Sequence, residues 1–150
     1  MKDIFQTWIK ENKENHTALI DKSYKNKFQR SNKEAFKGEI NINLATYGDA
    51  VLNLAFCEIL FKNVKLSEDK QKYIKDEVLV NKIAKHYQFL DYIKYDDEDE
   101  NIPKDYDWKD EKHKFIATAI EACIGAIFKE KKDFEKVVEI AKTWKEIIDK

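Results

Sequence analysis

The sequence predicts an all-α fold, and three observations carry that expectation. One proline and three glycines in 150 residues leave little turn chemistry for a chain of short strands. Long stretches rich in Lys, Glu, Ile and Leu favour helix. Apolar residues recur three and four apart rather than in alternation. The length suits one domain, residues 1–150, with a single core.

The elements follow in order. Ile4, Phe5, Trp8 and Ile9 mark an amphipathic first helix. A short helix over Ala18 to Tyr24 comes next, then a polar, basic loop to about Glu39. A long apolar helix spans Ile42 to Lys62. "KLSEDK" offers Ser67 as a cap, and Ile74, Val78, Val80, Ile83 and Ala84 are spaced for a helix over Tyr73 to Tyr87. "QFLDYI" is a short connector. "KYDDEDENIPKDYDWKDE" holds the only proline and is the clear loop. Helices over Lys109 to Glu130 and Phe134 to Asp149 close the chain.

A chain that is 43% hydrophobic and 38% charged is globular rather than disordered. No apolar run approaches the ~18 residues of a membrane span, and the charged start, "MKDIFQTWIKENKEN", excludes a secretory signal. Cys57 and Cys123 lie inside apolar helical runs, so reduced core cysteines and an intracellular, cytoplasmic protein are expected. His16, His86 and His113 share no ligand spacing, which argues against zinc. Net charge is −1, yet charge is unevenly spread. Residues 20–37 carry Lys22, Lys25, Lys27, Arg30, Lys33 and Lys37 against Asp21 and Glu34, a net of +4. Residues 96–111 carry a net of −7. The basic stretch, interleaved with Tyr24 and Phe28, is a candidate phosphate-contacting segment; the acidic run reads first as solvated surface.

Two carboxylates stand out. In "NLATYGDAVLNLAFCEILF", Asp49 shares a helix face with Ile42, Ala45, Leu52 and Phe56, so it is expected to point where apolar residues point. In "FIATAIEACIGAIF", Glu121 shares its face with Ala117, Ile124, Gly125 and Phe128. Each helix also contains a glycine, at a cost of roughly 1 kcal/mol relative to alanine. A carboxylate on an apolar face needs a cation, a metal or hydrogen bonds. Two such acids suggest a shared site, although each could instead be satisfied by a buried partner.

Four segments occur in order: "ALIDKSYKN" (18–26), "GDAVLNLAFCEILF" (48–61), "LVNKIAKHYQFLDYI" (79–93) and "IATAIEACIGAIF" (116–128). This succession resembles the catalytic domain of ribonuclease III over residues 16–149. The resemblance implies a helical endonuclease fold in which two neighbouring helices present carboxylates to Mg²⁺, with Mn²⁺ as a substitute. On it, Asp49 and Glu121 match metal-binding acids. Two further acids of the family are replaced, by Ala45 one turn before Asp49 and by Thr118 three residues before Glu121. The small "mini" branch of the family is similar in carrying Ala- and Thr-type residues around a retained Asp and Glu. The phenylalanine that helps pair subunits in the family is Thr46 here, followed by Tyr47.

What the resemblance implies is a homodimeric, metal-dependent endonuclease for double-stranded RNA. In it Asp49 and Glu121 hold metal, Thr118 orients a water, and Lys22, Lys25, Lys27, Arg30, Lys33 and Lys114 meet phosphates. No membrane partner is expected. Nothing follows Lys150, so the double-stranded-RNA-binding domain that often trails this domain is expected to be missing. The alternative is a ribonuclease III-like pseudoenzyme that has kept dimerisation or RNA binding and lost its acids.

Overall fold

The computed structural model describes residues 2–32 and 34–150. Helix α1 (Ile4–Asn12) begins at Asp3, whose carboxylate accepts from the Gln6 amide at 2.9 Å and so satisfies one of the free donors of the first turn. The other Asp3 oxygen accepts from the Tyr87 hydroxyl at 2.7 Å, and that hydroxyl accepts from Trp144 Nε1 at 3.2 Å. Phe5 packs edge-on against Trp144, with ring centroids 5.1 Å apart. One cap thus fixes the first helix to the aromatic end of the core.

Helices α3 (Ile42–Ile59), α7 (Lys114–Lys131) and α8 (Phe134–Asp149) form the body of the domain. Helix α7 is central, burying Ile116, Ile120, Ile124 and Ile127 together with its small residues Ala117, Ala119, Ala122 and Ala126. Small side chains let neighbouring helices approach. Closest approach comes at two glycines. A Cβ built on Gly48 of α3 would run into the Glu121 carbonyl and lie 2.7 Å from the Gly125 amide nitrogen. A Cβ on Gly125 of α7 would meet the Leu44 carbonyl and lie 3.0 Å from the Gly48 nitrogen. The two backbones touch where each helix lacks a side chain, which gives both glycines a packing reason.

The remaining elements wrap this pair. Helix α2 (Tyr24–Asn32) occupies the stretch expected to be a basic loop. It forms because Tyr24 and Phe28, one turn apart, pack together and against Phe36. Helix α4 (Leu66–Ile74) does not use Ser67 as its cap; the Lys65 carbonyl accepts from the Glu68 and Asp69 amides, and Ser67 lies inside the first turn. The helix expected from Tyr73 is interrupted at Lys75, whose backbone is extended (φ −62°, ψ 143°). Helix α5 (Asp76–Val78) starts afresh, runs through a π-helical stretch (Leu79–Ala84) and ends in α6 (Lys85–Tyr87). Gln88, in the left-handed conformation, stops it. The start expected near Lys109 is delayed: Asp110 caps a 3₁₀ turn (Glu111–His113) through the Lys112 amide at 2.9 Å, and α7 follows.

All-α architecture holds: the described residues contain helices and a lone parallel bridge, Ile20 to Lys94. Cys123 is buried and Cys57 half-buried, both free. No described helix is long and apolar enough to cross a membrane. Gly48→Ala should destabilise the fold by about 3 kcal/mol, the upper range for overpacking, seen as a lower urea midpoint. On an unpacked helix the same change would stabilise by about 1 kcal/mol, so a raised midpoint would show that α3 and α7 do not touch here.

Candidate active site

The glycine contact brings the faces carrying Asp49 and Glu121 together. They line one open cavity of about 830 Å³ between α3, the start of α5, the start of α7 and residues 21–23. Ala45 and Thr118 line it as well, so the two positions where the resemblance marks missing acids face the same space as the two acids retained. Lys22 and Lys114, both singled out from the sequence, also border it.

The acids are not equivalent. Asp49 is exposed, contrary to the expectation that it points into apolar surroundings. The reason lies in its stripe: Ile42, on the same face, is itself 48% exposed, so this edge of α3 opens toward the cavity before the helix turns into the core at Leu52 and Phe56. Asn53 donates to the Asp49 carbonyl at 3.0 Å and to its carboxylate at 3.3 Å, while Lys70 donates to Asn53 Oδ1 at 3.2 Å. Glu121 is half-buried. Burial pushes its carboxyl up to about 9, helped by a hydrogen bond with Asp49 and by the negative charges of Asp49 and Asp76; Lys114 opposes the shift. A carboxyl held this high favours its protonated form in the metal-free protein.

Asp76 is the site residue that the sequence did not reveal. A single helix over Tyr73 to Tyr87 would leave it as one polar position among several; the break at Lys75 instead makes it the first residue of α5, on the cavity. Burial raises its carboxyl, with Glu111 and Asp49 adding to the shift and Lys114 countering it. Asn41 is a second such residue. It is fully buried at the start of α3, donates through Nδ2 to the Ala18 carbonyl at 3.2 Å, and lines the cavity. Its Oδ1 has no partner among the described residues.

The remaining phosphate candidates lie elsewhere. Arg30 makes a two-point ion pair with Asp96 and also reaches Glu98 at 3.2 Å. Lys27 pairs with Asp97 at 2.6 Å. The acidic run is therefore more than solvated surface. Asp96 is 2% exposed, and the Arg30 guanidinium holds its carboxyl below the usual range. Lys25 borders a separate depression with Lys129 and Lys132. Lys33 lies outside the described residues.

The donor set is hard oxygen: two carboxylates on a rigid helix pair, a nearby threonine hydroxyl, and an unpartnered amide oxygen. This suits Mg²⁺, which keeps several waters and takes one or two carboxylates from protein. No three His, Cys, Asp or Glu side chains among the described residues converge tightly enough to cage an ion directly. The fit is thus to a hydrated ion.

The all-α body agrees with the family comparison. The Ribonuclease III domain model matches residues 42–132. The chain belongs to the ribonuclease III family. A search of curated proteins finds no significant match.

The raised Glu121 carboxyl has a stability consequence. Its folded value exceeds the ordinary 4.5, so the contribution is fully present below that pH and is lost as pH rises toward about 9. In chelator, stability of the wild type should fall across this window relative to Glu121→Gln, by at least about 1 kcal/mol, the equivalent of one pKa unit. Parallel denaturation midpoints of the two proteins from pH 5 to 9 would contradict the assignment.

Proposed function

We propose that this ribonuclease III family member is a divalent-metal-dependent endonuclease that cleaves phosphodiesters in double-stranded RNA. The observation that carries the reading is the placement of Asp49 and Glu121, from two helices in backbone contact, at one cavity with Thr118 and Lys114. Asp49 and Glu121 would hold Mg²⁺, which would supply charge neutralisation for the phosphodiester and a lowered pKa for a bound water. Glu121 would give up its proton to serve as a ligand, since a bound cation would favour both carboxylates in their charged form. Thr118 offers a neutral hydroxyl that orients water. Lys22 and Lys114 supply positive charge at the cavity for the RNA backbone, and duplex RNA is read by shape and phosphates because its major groove excludes side chains.

The second reading, a pseudoenzyme that binds RNA or dimerises, draws on a specific observation: Ala45 and Thr118 occupy the cavity where acids would add charge, and no three-ligand cage is present among the described residues. The two readings share a dimer. Of the apolar residues of α3 and its C-cap, Val51, Phe56 and Leu60 are buried within the domain, and Leu44 and Ile59 are partly buried. Tyr47, Leu54 and Phe61, roughly two turns apart on α3 and its extension, are exposed, as is Val64. That stripe supports a two-fold partner copy. Light scattering at tens of micromolar should report a dimer, and a monomer would count against it.

Asp49→Asn and Glu121→Gln should each reduce duplex cleavage at least ~100-fold, the scale set by losing one charge-stabilising group at a reacting centre, without lowering the thermal midpoint. Cleavage that survives both changes belongs to another site or another protein. Ala45→Glu with Thr118→Asp should lower the metal-free midpoint through carboxylate repulsion, and added Mg²⁺ should restore it by mass action. A double variant whose midpoint ignores Mg²⁺ would mean that these positions do not share a space. A wild type inert toward duplex RNA would favour the pseudoenzyme.

A further inference from the structure

We propose that Asp76 is the third acid of this site, a positioning residue that accepts hydrogen bonds from the water shell of a divalent cation seated on Asp49 and Glu121. The inference rests on the reading of the cavity as a metal site and adds to it a residue from a different helix. The four-acid pattern of the family draws its carboxylates from two helices. Here Ala45 and Thr118 leave one acid on each, so two formal charges remain to hold a doubly charged ion. Asp76 borders the same cavity from the start of α5. Its placement is built in: the extended backbone at Lys75 ends α4 and turns the chain so that α5 begins beside α7.

Two observations indicate that the carboxylate is available for this use. Among the described residues it enters no ion pair. It lies close enough to Asp49 and to Glu121 for their charges to be felt, with Lys114 as the opposing cation. A half-buried acid near Asp49, Glu111 and Glu121, with Lys114 opposing them, is stabilised by further positive charge arriving from the cavity.

An independent feature at the cavity is a buried acceptor that no donor of the described residues satisfies. Asn41 is fully buried, its amide nitrogen is committed to the Ala18 carbonyl, and its Oδ1 faces no protein donor among the described residues. A buried acceptor beside the cavity needs a donor that the described residues do not supply. Ordered water supplies one, and the hydration shell of Mg²⁺ is a source of strongly polarised water. Because no three acids converge for direct ligation, Asp76 acts through water, as outer-shell carboxylates do.

The test is calorimetric titration of the full chain with Mn²⁺ alone, paired with thermal melts in chelator and in Mn²⁺. Asp76→Asn should weaken Mn²⁺ binding about 10-fold, the lower bound for losing an outer-shell partner, with a chelator midpoint equal to or above the wild type. Asp76→Glu should recover most of the affinity. Wild-type Mn²⁺ affinity in Asp76→Asn, with binding lost in Asp49→Asn, would overturn the role of Asp76 and leave the metal-site reading intact. A lowered chelator midpoint with an unchanged Mn²⁺ increment would make Asp76 structural and also overturn it. No Mn²⁺ binding by the wild type would overturn the metal-site reading, and the role of Asp76 with it.

Discussion

The backbone contact between α3 and α7 is the constraint on which the rest of the molecule depends. Glycine is costly in a helix interior, and this chain places two of its three glycines inside its two most apolar helices. They face each other, so the Gly48 backbone lies against the Glu121 carbonyl and the Gly125 backbone against that of Leu44. Any side chain at either position would force the helices apart. The same contact that closes the core therefore sets the separation of Asp49 and Glu121, each next to or one turn from a glycine. Packing and chemistry share one cause.

A second consequence concerns charge. The helix pair delivers carboxylates to a partly buried cavity, and the electrostatics show the strain of doing so: Glu121 holds a proton well above the ordinary carboxyl range because burial and the neighbouring acids Asp49 and Asp76 disfavour its charge. The acidic loop resolves its own charge differently. Asp96, Asp97 and Glu98 are matched by Arg30 and Lys27 of α2, and the Ser23 hydroxyl oxygen accepts from the Asp96 amide at 3.0 Å. That pairing anchors α2 to the body of the domain. It also leaves Lys22, Lys112 and Lys114 as cations lining the cavity itself.

Much of this was legible in the sequence because helical periodicity and two acids on apolar stretches are local signals. The bounds of the last helix, Phe134–Asp149, are those the spacing predicts. Asp49, Glu121, Thr118 and Lys114 line one cavity. What escaped depends on contacts between distant residues. Helix α2 is stabilised by Phe36 and by the loop near residue 96, which no local pattern in a basic stretch reveals. The break at Lys75 carries neither proline nor glycine, so periodicity ran across it and hid Asp76. Asp49 looked inward because its stripe is apolar; only the assembled fold shows that Ile42 and Asp49 lie where that stripe reaches the surface.

Paramagnetic broadening by substoichiometric Mn²⁺ in amide NMR spectra tests the central claim most directly, since it maps ion position independently of catalysis. The account predicts that amides around Asp49, Asp76 and Glu121 broaden together, at one concentration, while those of the 96–111 loop do not. Broadening confined to the acidic loop, or spread evenly over surface carboxylates, would contradict the claim that the α3–α7 contact builds a metal site.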